Sequence, residues 1–207
     1  MELTSTSFDD GAKIPPRIAF AVPADPGPVA FSENRNPHLR WVGAPDGTRS
    51  FVVTCIDHDC PSAPDDVNQP DREIPASLPR IDFTHWLLAN VPSSVTEIEE
   101  GSHSRGVTPR GKAADGAPLG VHGQNDYTAW TSDDPDLAGQ WNGYDGSAPP
   151  WNDSIVHHYE FTVHALDVEA LDLEPGFTLD ELKAAMEGHL LDSASIVGVY
   201  ASNPRLH

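Results

Sequence analysis

The sequence contains very little positive charge. It has three lysines, Lys13, Lys112 and Lys183, and 12 basic residues against 32 acidic ones, which gives a formal net charge of −20. A chain this acidic repels nucleic acid and anionic membrane surfaces at long range, so general DNA or RNA binding is excluded. The composition is typical of adaptation to high salt, where screening removes the self-repulsion, and is equally compatible with an ordinary acidic cytosolic protein.

Cysteines are scarce and long apolar runs are missing. Cys55 and Cys60 are the only two cysteines, and in an extended segment they would lie about 16 Å apart, too far for a disulfide. Free thiols favour a reducing compartment, and the first residues lack the basic and apolar segments of a secretory signal. No apolar run reaches the length of about 18 residues that a transmembrane helix needs. We therefore expect a cytoplasmic protein without a transmembrane segment.

Turn-forming residues are abundant, which favours short strands over a helical bundle. The 207 residues include 20 prolines and 16 glycines, and a chain of this length can form one well-cored domain. One helix is predicted where Thr178 and Glu181 form a capping box, followed by apolar residues at helical spacing as far as Leu190. The sequence predicts a mainly β protein, a single domain over 1–207, with one C-terminal amphipathic helix and long peripheral loops. Strands are expected over 17–22, 38–42, 50–57, 83–90, 156–167 and 195–201.

Alternation along these strands predicts which side chains face the core. Between residues 50 and 57 the odd positions are the more apolar, so Asp57 ends an inward face. The same rule turns His157 and Tyr159 inward. His85 lies on an apolar central strand, and Trp86, which follows it, should point to the opposite face. Six other histidines are expected at the surface: His58, His103, His122, His164, His189 and His207.

The inward polar side chains predict a small polar pocket. A buried carboxylate or imidazole is costly unless it is paired, hydrogen-bonded or used. An aspartate near two imidazoles favours their protonated form, and together with a phenol they would offer several donors to an oxyanion such as phosphate. The alternative is a satisfied core contact without a ligand. The residues concerned are Asp57, His85, His157 and Tyr159.

Three other kinds of site receive less support. His85 and His157 could bind zinc or iron with an aspartate, but no metal-binding motif lies on a helix, so no metal is expected. A serine hydrolase lacks its Gly-x-Ser-x-Gly turn. Cys60 could act as a nucleophile beside the histidines, although a small, partly buried thiol is the simpler interpretation.

Five segments, in order, resemble the phosphatidylethanolamine-binding protein family, in particular its bacterial and archaeal branch of Raf-kinase-inhibitor-like proteins. Residues 57–61, Asp-His-Asp-Cys-Pro, resemble the family's Asp-Pro-Asp-x-Pro motif, and residues 83–92 are similar to its His-Trp strand. His58 and His158 replace a family proline and arginine, and 62–75 and 128–141 look like acidic insertions. The remaining similar segments are 36–50, 123–127 and the run that includes Gly143-Tyr144, Pro149-Pro150 and 157–161.

The resemblance implies a Greek-key β-sandwich with a small anion pocket. In relatives this pocket is filled by phosphate-type headgroups or other oxyanions, and the resemblance implies no catalytic residue, metal or cofactor. Matched motif by motif, the ligand-binding residues would be Asp57, Asp59, Pro61, His85, Pro149, His157 and Tyr159.

We therefore expect a non-enzymatic protein that binds phosphate or a phosphorylated headgroup, with scope for a regulatory role. His85, His157 and Tyr159 would donate to the oxyanion. Two alternatives remain open: an inhibitor or scaffold of a protein kinase or protease that uses the pocket and the 62–82 loop, and a hydrolase with Asp57 and His85 as acid–base groups. A protein partner and a homodimer also remain open.

Overall fold

The structure, a computed structural model that describes residues 1–206, is built mainly from strands. Two short α-helices and one 3-10 turn, Pro204–Leu206, accompany them. The helices are α1 (Tyr127–Trp130) and α2 (Leu179–Met186). The strands are β1 (Glu2–Thr4), β2 (Ala21–Pro23), β3 (Val29–Phe31), β4 (Leu39–Val42), β5 (Ser50–Pro61), β6 (Arg80–Pro92), β7 (Glu97–Ile98), β8 (Val121–His122), β9 (His157–Leu166) and β10 (Leu190–Tyr200).

Two antiparallel sheets enclose the main core. The larger sheet has the strand order β10-β9-β5-β6-β8, and the smaller has the order β1-β4-β7. Odd-numbered side chains of β5 and β9, such as Phe51 and Phe161, pack with Trp41 of the smaller sheet. The alternation read from the sequence therefore gave the correct inward face for both long strands, and the predicted mainly β sandwich is confirmed.

Helix α2 covers part of the outer face of the large sheet. Leu182 packs there with Val52, Leu87 and Phe177 in a second apolar cluster. The predicted capping box is present, because Thr178 accepts from the Glu181 amide and the Glu181 carboxylate accepts from Thr178. Neither helix in residues 1–206 is long and apolar enough to cross a membrane.

Several element boundaries differ from the sequence prediction. The strand expected over 17–22 was wrong, because Ile18 and Ala19 donate to the carbonyls of Pro15 and Pro16 and form a turn, and the strand starts only at Ala21. Helix α2 ends before Leu190, which already belongs to β10. Strands β5 and β6 are longer than expected, which shortens the loop between them to residues 62–79.

The histidines expected at the surface fall into three groups. His58 and His189 have substantially exposed side chains, and His164 is half-buried. The prediction was wrong for His103 and His122, which are 7% and 2% exposed. They lie outside the long strands whose alternation could have located them: His103 is in a loop and His122 is in the two-residue strand β8. His207 lies outside the described residues.

Candidate functional site

A small cavity of about 50 Å³, here called the site cavity, lies beside the ends of β5, β6 and β9. On the order of 10–15 Å³ of such space holds one water, so the site cavity has room for a few waters or one small ion. Six of the seven predicted ligand-binding residues line it: Asp57, Pro61, His85, Pro149, His157 and Tyr159.

A β-bulge directs His85 into the site cavity. Along the β5–β6 pair, Cys55 lies opposite Trp86 but Ile56 lies opposite Thr84, so His85 is the extra residue. Trp86 packs in the main core, and the ring of His85 lies 5.1 Å from that of Tyr159. Both side chains therefore lie on the inner side of the sheet, and the expectation that Trp86 faces the opposite way was wrong. Bulges of this kind re-aim side chains near functional sites.

A second bulge removes Asp59 from the site cavity. The β5–β6 register shifts between Asp57 and Cys60, which adds one residue to β5. The Asp59 carboxylate accepts from both the amide and the ring nitrogen Nδ1 of His158, each at 2.8 Å. Asp59 is thus the one predicted site residue that the structure does not bring together with the others.

His157 lies between two carboxylates. Its Nδ1 is 2.7 Å from Asp57 Oδ2, and its Nε2 is 3.1 Å from Asp153 Oδ2. Burial lowers the pKa of His157, but the hydrogen bonds with Asp153 and Asp57 outweigh that effect and raise the pKa to about 9. His157 is therefore an imidazolium at pH 7 with both N–H groups engaged, so it is not a free donor for a ligand.

Arg80 completes a chain of four alternating charges, here called the charge network: Arg80, Asp153, His157 and Asp57. Arg80 holds Asp153 through two hydrogen bonds, at 2.6 and 3.0 Å. The pKa of Asp153 is lowered, because the hydrogen bonds from His157 and Arg80 outweigh its burial. With two positive and two negative groups the network is neutral overall. Sequence reasoning missed Arg80 and Asp153, although Asp153 precedes His157 by four residues.

His85 has the opposite protonation. Burial lowers its pKa more than nearby aspartates raise it, so the ring is neutral at pH 7. Nδ1 donates to the Asp145 carbonyl oxygen at 2.7 Å, which places the proton on Nδ1. Nε2 is then the unprotonated nitrogen, available to the site cavity that His85 lines.

The Tyr159 hydroxyl is a buried polar group without a partner. The residue is 1% exposed, and its oxygen makes no hydrogen bond of standard geometry with another protein group. It lies near Asp57 at too poor an angle or distance for a well-formed bond. Burial raises its pKa well above the usual value, so it keeps its proton. Buried hydroxyls normally find an acceptor, which makes this one a donor available inside the site cavity.

The remaining wall comes from residues outside the predicted ligand-binding set. Phe83, Tyr127 and Trp130 add aromatic surface, and Cys60 adds a thiol. Burial raises the pKa of Cys60 to about 12, so the thiolate form is scarce at pH 7. The Gly-Gln-Asn-Asp-Tyr segment that carried the family resemblance does include Tyr127, which was the available signal.

The loop over 62–79 also contributes to the wall. The Asn152 side-chain amide donates to the carbonyl oxygens of Asp66, Gln69 and Arg72, and its oxygen accepts from the Asn68 amide. This anchoring holds Asn68 beside the site cavity. The segment that resembles an insertion is therefore part of the site.

The site does not resemble a metal centre. Among residues 1–206, no group of three His, Cys, Asp or Glu side chains is placed to hold a metal ion. At the site cavity the candidate ligand atoms are already engaged, because both nitrogens of His157 bond to carboxylates and Asp57 Oδ1 accepts from the Asp59 amide.

Two solved bacterial proteins share this fold. The chain resembles the YbcL protein of Escherichia coli, with a TM-score of 0.65 and 24% identity over 97% of both chains. YbcL is described as a new member of the mammalian PEBP (phosphatidylethanolamine-binding protein) family. It also resembles a PEBP homologue from Chlamydia trachomatis, CT736, with a TM-score of 0.64 and 25% identity over 96% of this chain and 95% of that one. At 24% identity, the likeness to YbcL establishes the fold alone.

Sequence relatives are similar over nearly the full chain. A UPF0098 protein of Methanothermobacter thermautotrophicus is 32% identical, covering 97% of this chain and 98% of the relative. The UPF0098 protein YbhB of Escherichia coli is 31% identical, covering 97% and 100%. The family model for phosphatidylethanolamine-binding proteins matches residues 4–201. The chain therefore belongs to the phosphatidylethanolamine-binding protein family.

Proposed function

We propose that the protein binds a small oxyanion, phosphate or a phosphorylated headgroup, in the site cavity, and that it acts by binding rather than by catalysis. The observation that carries this proposal is the buried, unpartnered hydroxyl of Tyr159 beside the free Nε2 of His85. A buried proton donor that faces a small cavity gains an acceptor when an oxyanion enters.

The charge balance of the cavity supports this choice of ligand. Asp57 alone would repel an anion, but its charge is offset by His157, and the rest of the charge network is neutral as a whole. His85 is neutral in the empty cavity. An anion beside Nε2 would raise the pKa of His85, so we expect a proton to be taken up on binding and to provide a second donor.

The same geometry favours binding over hydrolysis. An acid–base pair of Asp57 and His85 would need a carboxylate free to exchange protons. Both oxygens of Asp57 are occupied, Oδ1 by the Asp59 amide at 2.8 Å and Oδ2 by His157 at 2.7 Å. Cys60 is a poor nucleophile because of its raised pKa. The two free cysteines also support the cytoplasmic location that forms part of the proposal.

Calorimetric titration with phosphate and phosphoethanolamine at high salt tests the proposal. Tyr159→Phe removes one hydroxyl and should weaken binding roughly tenfold or more, the usual effect of a lost hydrogen bond to a charged group. His85→Ala should abolish measurable binding. Tyr200→Phe is the matched control, because the Tyr200 hydroxyl donates to the Ala21 carbonyl outside the cavity, and its affinity should equal that of wild type.

Proton uptake is a separate readout of His85. Sulfate does not titrate near neutral pH, so a pH dependence of its binding comes from the protein, and its affinity should rise as the pH falls. The proton taken up by His85 should also make the binding enthalpy depend on the ionisation enthalpy of the buffer. Absence of binding for both phosphate and phosphoethanolamine to the folded wild type would contradict the proposal. Turnover of phosphoesters or esters that disappeared in His85→Ala would instead favour a hydrolase.

A further inference from the structure

A larger groove of about 440 Å³, with mostly apolar walls, lies next to the site cavity. Five residues line both spaces, so the two are immediate neighbours: Asn68, Tyr127, Trp130, Ala148 and Pro149. The polar end holds Tyr159 and His85, and the apolar end lies between hairpin β2–β3 and the segment that begins with α1. Its volume lies within the range of small-molecule sites.

Aromatic rings form much of the groove. Phe20 stacks on Tyr127 with centroids 4.5 Å apart and contacts Phe31 edge-on at 5.4 Å. Phe31 is 56% exposed and Trp130 is 46% exposed. Val29, a third exposed apolar residue, lines the same groove. Exposed apolar side chains that cluster around one depression indicate a binding surface, whereas scattered ones do not.

The groove carries little charge to attract an ionic group. Asp134 is the one charged residue in its wall among residues 1–206. An anion would therefore stay at the polar end, near Tyr159, while an uncharged ring would fit the apolar end. A ligand with an anionic group and an uncharged ring would therefore bind in one orientation.

We infer that the ligand is a phosphomonoester whose ester group is compact and aromatic, with the phosphate in the site cavity and the ring in the groove beside Phe31 and Trp130. This inference rests on the proposed function, because it assumes an anion site at the polar end. It adds the class of group that the groove selects. The two spaces share five wall residues, and this adjacency is what assigns both parts to one ligand.

Phenyl phosphate, hexyl phosphate and inorganic phosphate, each titrated into the full chain, test the inference. Phenyl phosphate should bind about tenfold more tightly than phosphate, since its ring leaves water for an apolar surface. Phe31→Ala should remove most of that gain and leave inorganic phosphate unchanged, because Phe31 lines only the groove. Leu191→Ala, at another exposed apolar residue, is the matched control and should keep the full gain.

The outcomes separate this inference from the proposed function. If none of the three compounds bound, the anion site itself would be disproved. If phosphate bound and phenyl phosphate bound no better, or if Phe31→Ala and Leu191→Ala lost the gain equally, only the groove assignment would be overturned. A gain for hexyl phosphate equal to that for phenyl phosphate would overturn the preference for an aromatic group.

Discussion

Two groups of buried histidines in this molecule have opposite protonation states. His157 is 1% exposed and has its pKa raised to about 9. His103 and His122, here called the imidazole pair, are almost as buried, yet burial lowers their pKa values to about 4 and about 3. Removal from water favours the neutral ring in all three. The carboxylates of Asp153 and Asp57 reverse that preference only for His157.

The contacts of the imidazole pair explain why it stays neutral. His103 Nδ1 lies 3.0 Å from His122 Nε2, so one ring donates to the other. Trp86 packs against His103, and the charge of Lys112 further lowers the pKa of His122. Depth alone therefore does not predict the charge of a histidine in this protein; carboxylates hydrogen-bonded directly to the ring decide it.

The largest expected effect comes from removing the carboxylate of Asp153, which helps to keep His157 protonated. Asp153→Asn keeps the shape of the side chain but leaves Arg80 and His157 without their shared counter-charge. Breaking a buried ion pair on one side costs about 3–5 kcal/mol, so the free energy of unfolding in urea at pH 7 should fall by about that amount. The pKa of His157, followed by NMR, should fall as well, toward the values of the imidazole pair.

The control for this change is an ion pair at the surface. Glu73 pairs with Arg205, and their side chains are 48% and 69% exposed. Exposed pairs contribute about 0–1 kcal/mol, so Glu73→Gln should have little effect. If Asp153→Asn cost no more than Glu73→Gln, the charge network would not stabilise the fold as we argue.

The next effect is a pH dependence of opposite sign for the two groups. The imidazole pair has folded pKa values below the unfolded value of about 6.5, so its contribution to stability is present above pH 6.5 and is lost as the pH falls toward about 4. His157 has a raised folded pKa, so its contribution is full below about pH 6.5 and is lost as the pH rises toward about 9. Each should change the free energy of unfolding by on the order of 1 kcal/mol per pH unit.

Two variants assign the two sides of this profile. His122→Gln should make the acidic side shallower between pH 6.5 and 5, although His103, His85 and His164 still contribute there because burial lowers their pKa values. His157→Gln should flatten the alkaline side between pH 6.5 and 9. Each serves as the control for the other, and His189→Gln, whose side chain is 41% exposed, should alter neither. Loss of the acidic dependence in His157→Gln would refute the assignment.

The sequence correctly predicted that His157 is buried, but it wrongly placed the imidazole pair at the surface. Alternation needs a long strand, so it correctly turned His157 and Tyr159 inward along β9. The alternation rule failed where the chain departs from a regular strand. The bulges at His85 and near Asp59 change which side chains share a face. His103 lies in a loop and His122 in a two-residue strand, so alternation could not be applied to the imidazole pair. The family motifs supplied Pro149, which periodicity could not.

Charge partners were harder to predict than positions. The expectation that both His85 and His157 would donate to a ligand assumed that one aspartate protonates both rings. In the structure the Asp145 backbone carbonyl fixes the proton of His85 on Nδ1, and Asp153 occupies the second nitrogen of His157. Such pairings depend on angles and on distances below about 3 Å, which strand patterns do not encode.

The smallest expected effect, a response to salt, separates buried from exposed charge. With a net charge of −20, the surface repels itself, and raising the salt from about 0.1 M to 1 M shortens the screening length from about 10 Å to about 3 Å. We expect the melting temperature to rise by several degrees, as it would for a protein adapted to high salt. A melting temperature that fell on adding salt would contradict that adaptation.

NMR titration in the same salt series tests whether the response is confined to the surface. The pKa of His58 is raised because its hydrogen bonds to Asp82 and Glu160, together with their charges, outweigh its partial burial, and its side chain is 44% exposed. Screening should therefore lower that pKa toward about 6.5. His157 and the imidazole pair are shielded from ions, so their pKa values should stay constant. A shift of His157 as large as that of His58 would mean that solvent reaches the charge network, and the contrast between the two buried groups would then reflect exposure rather than their carboxylate partners.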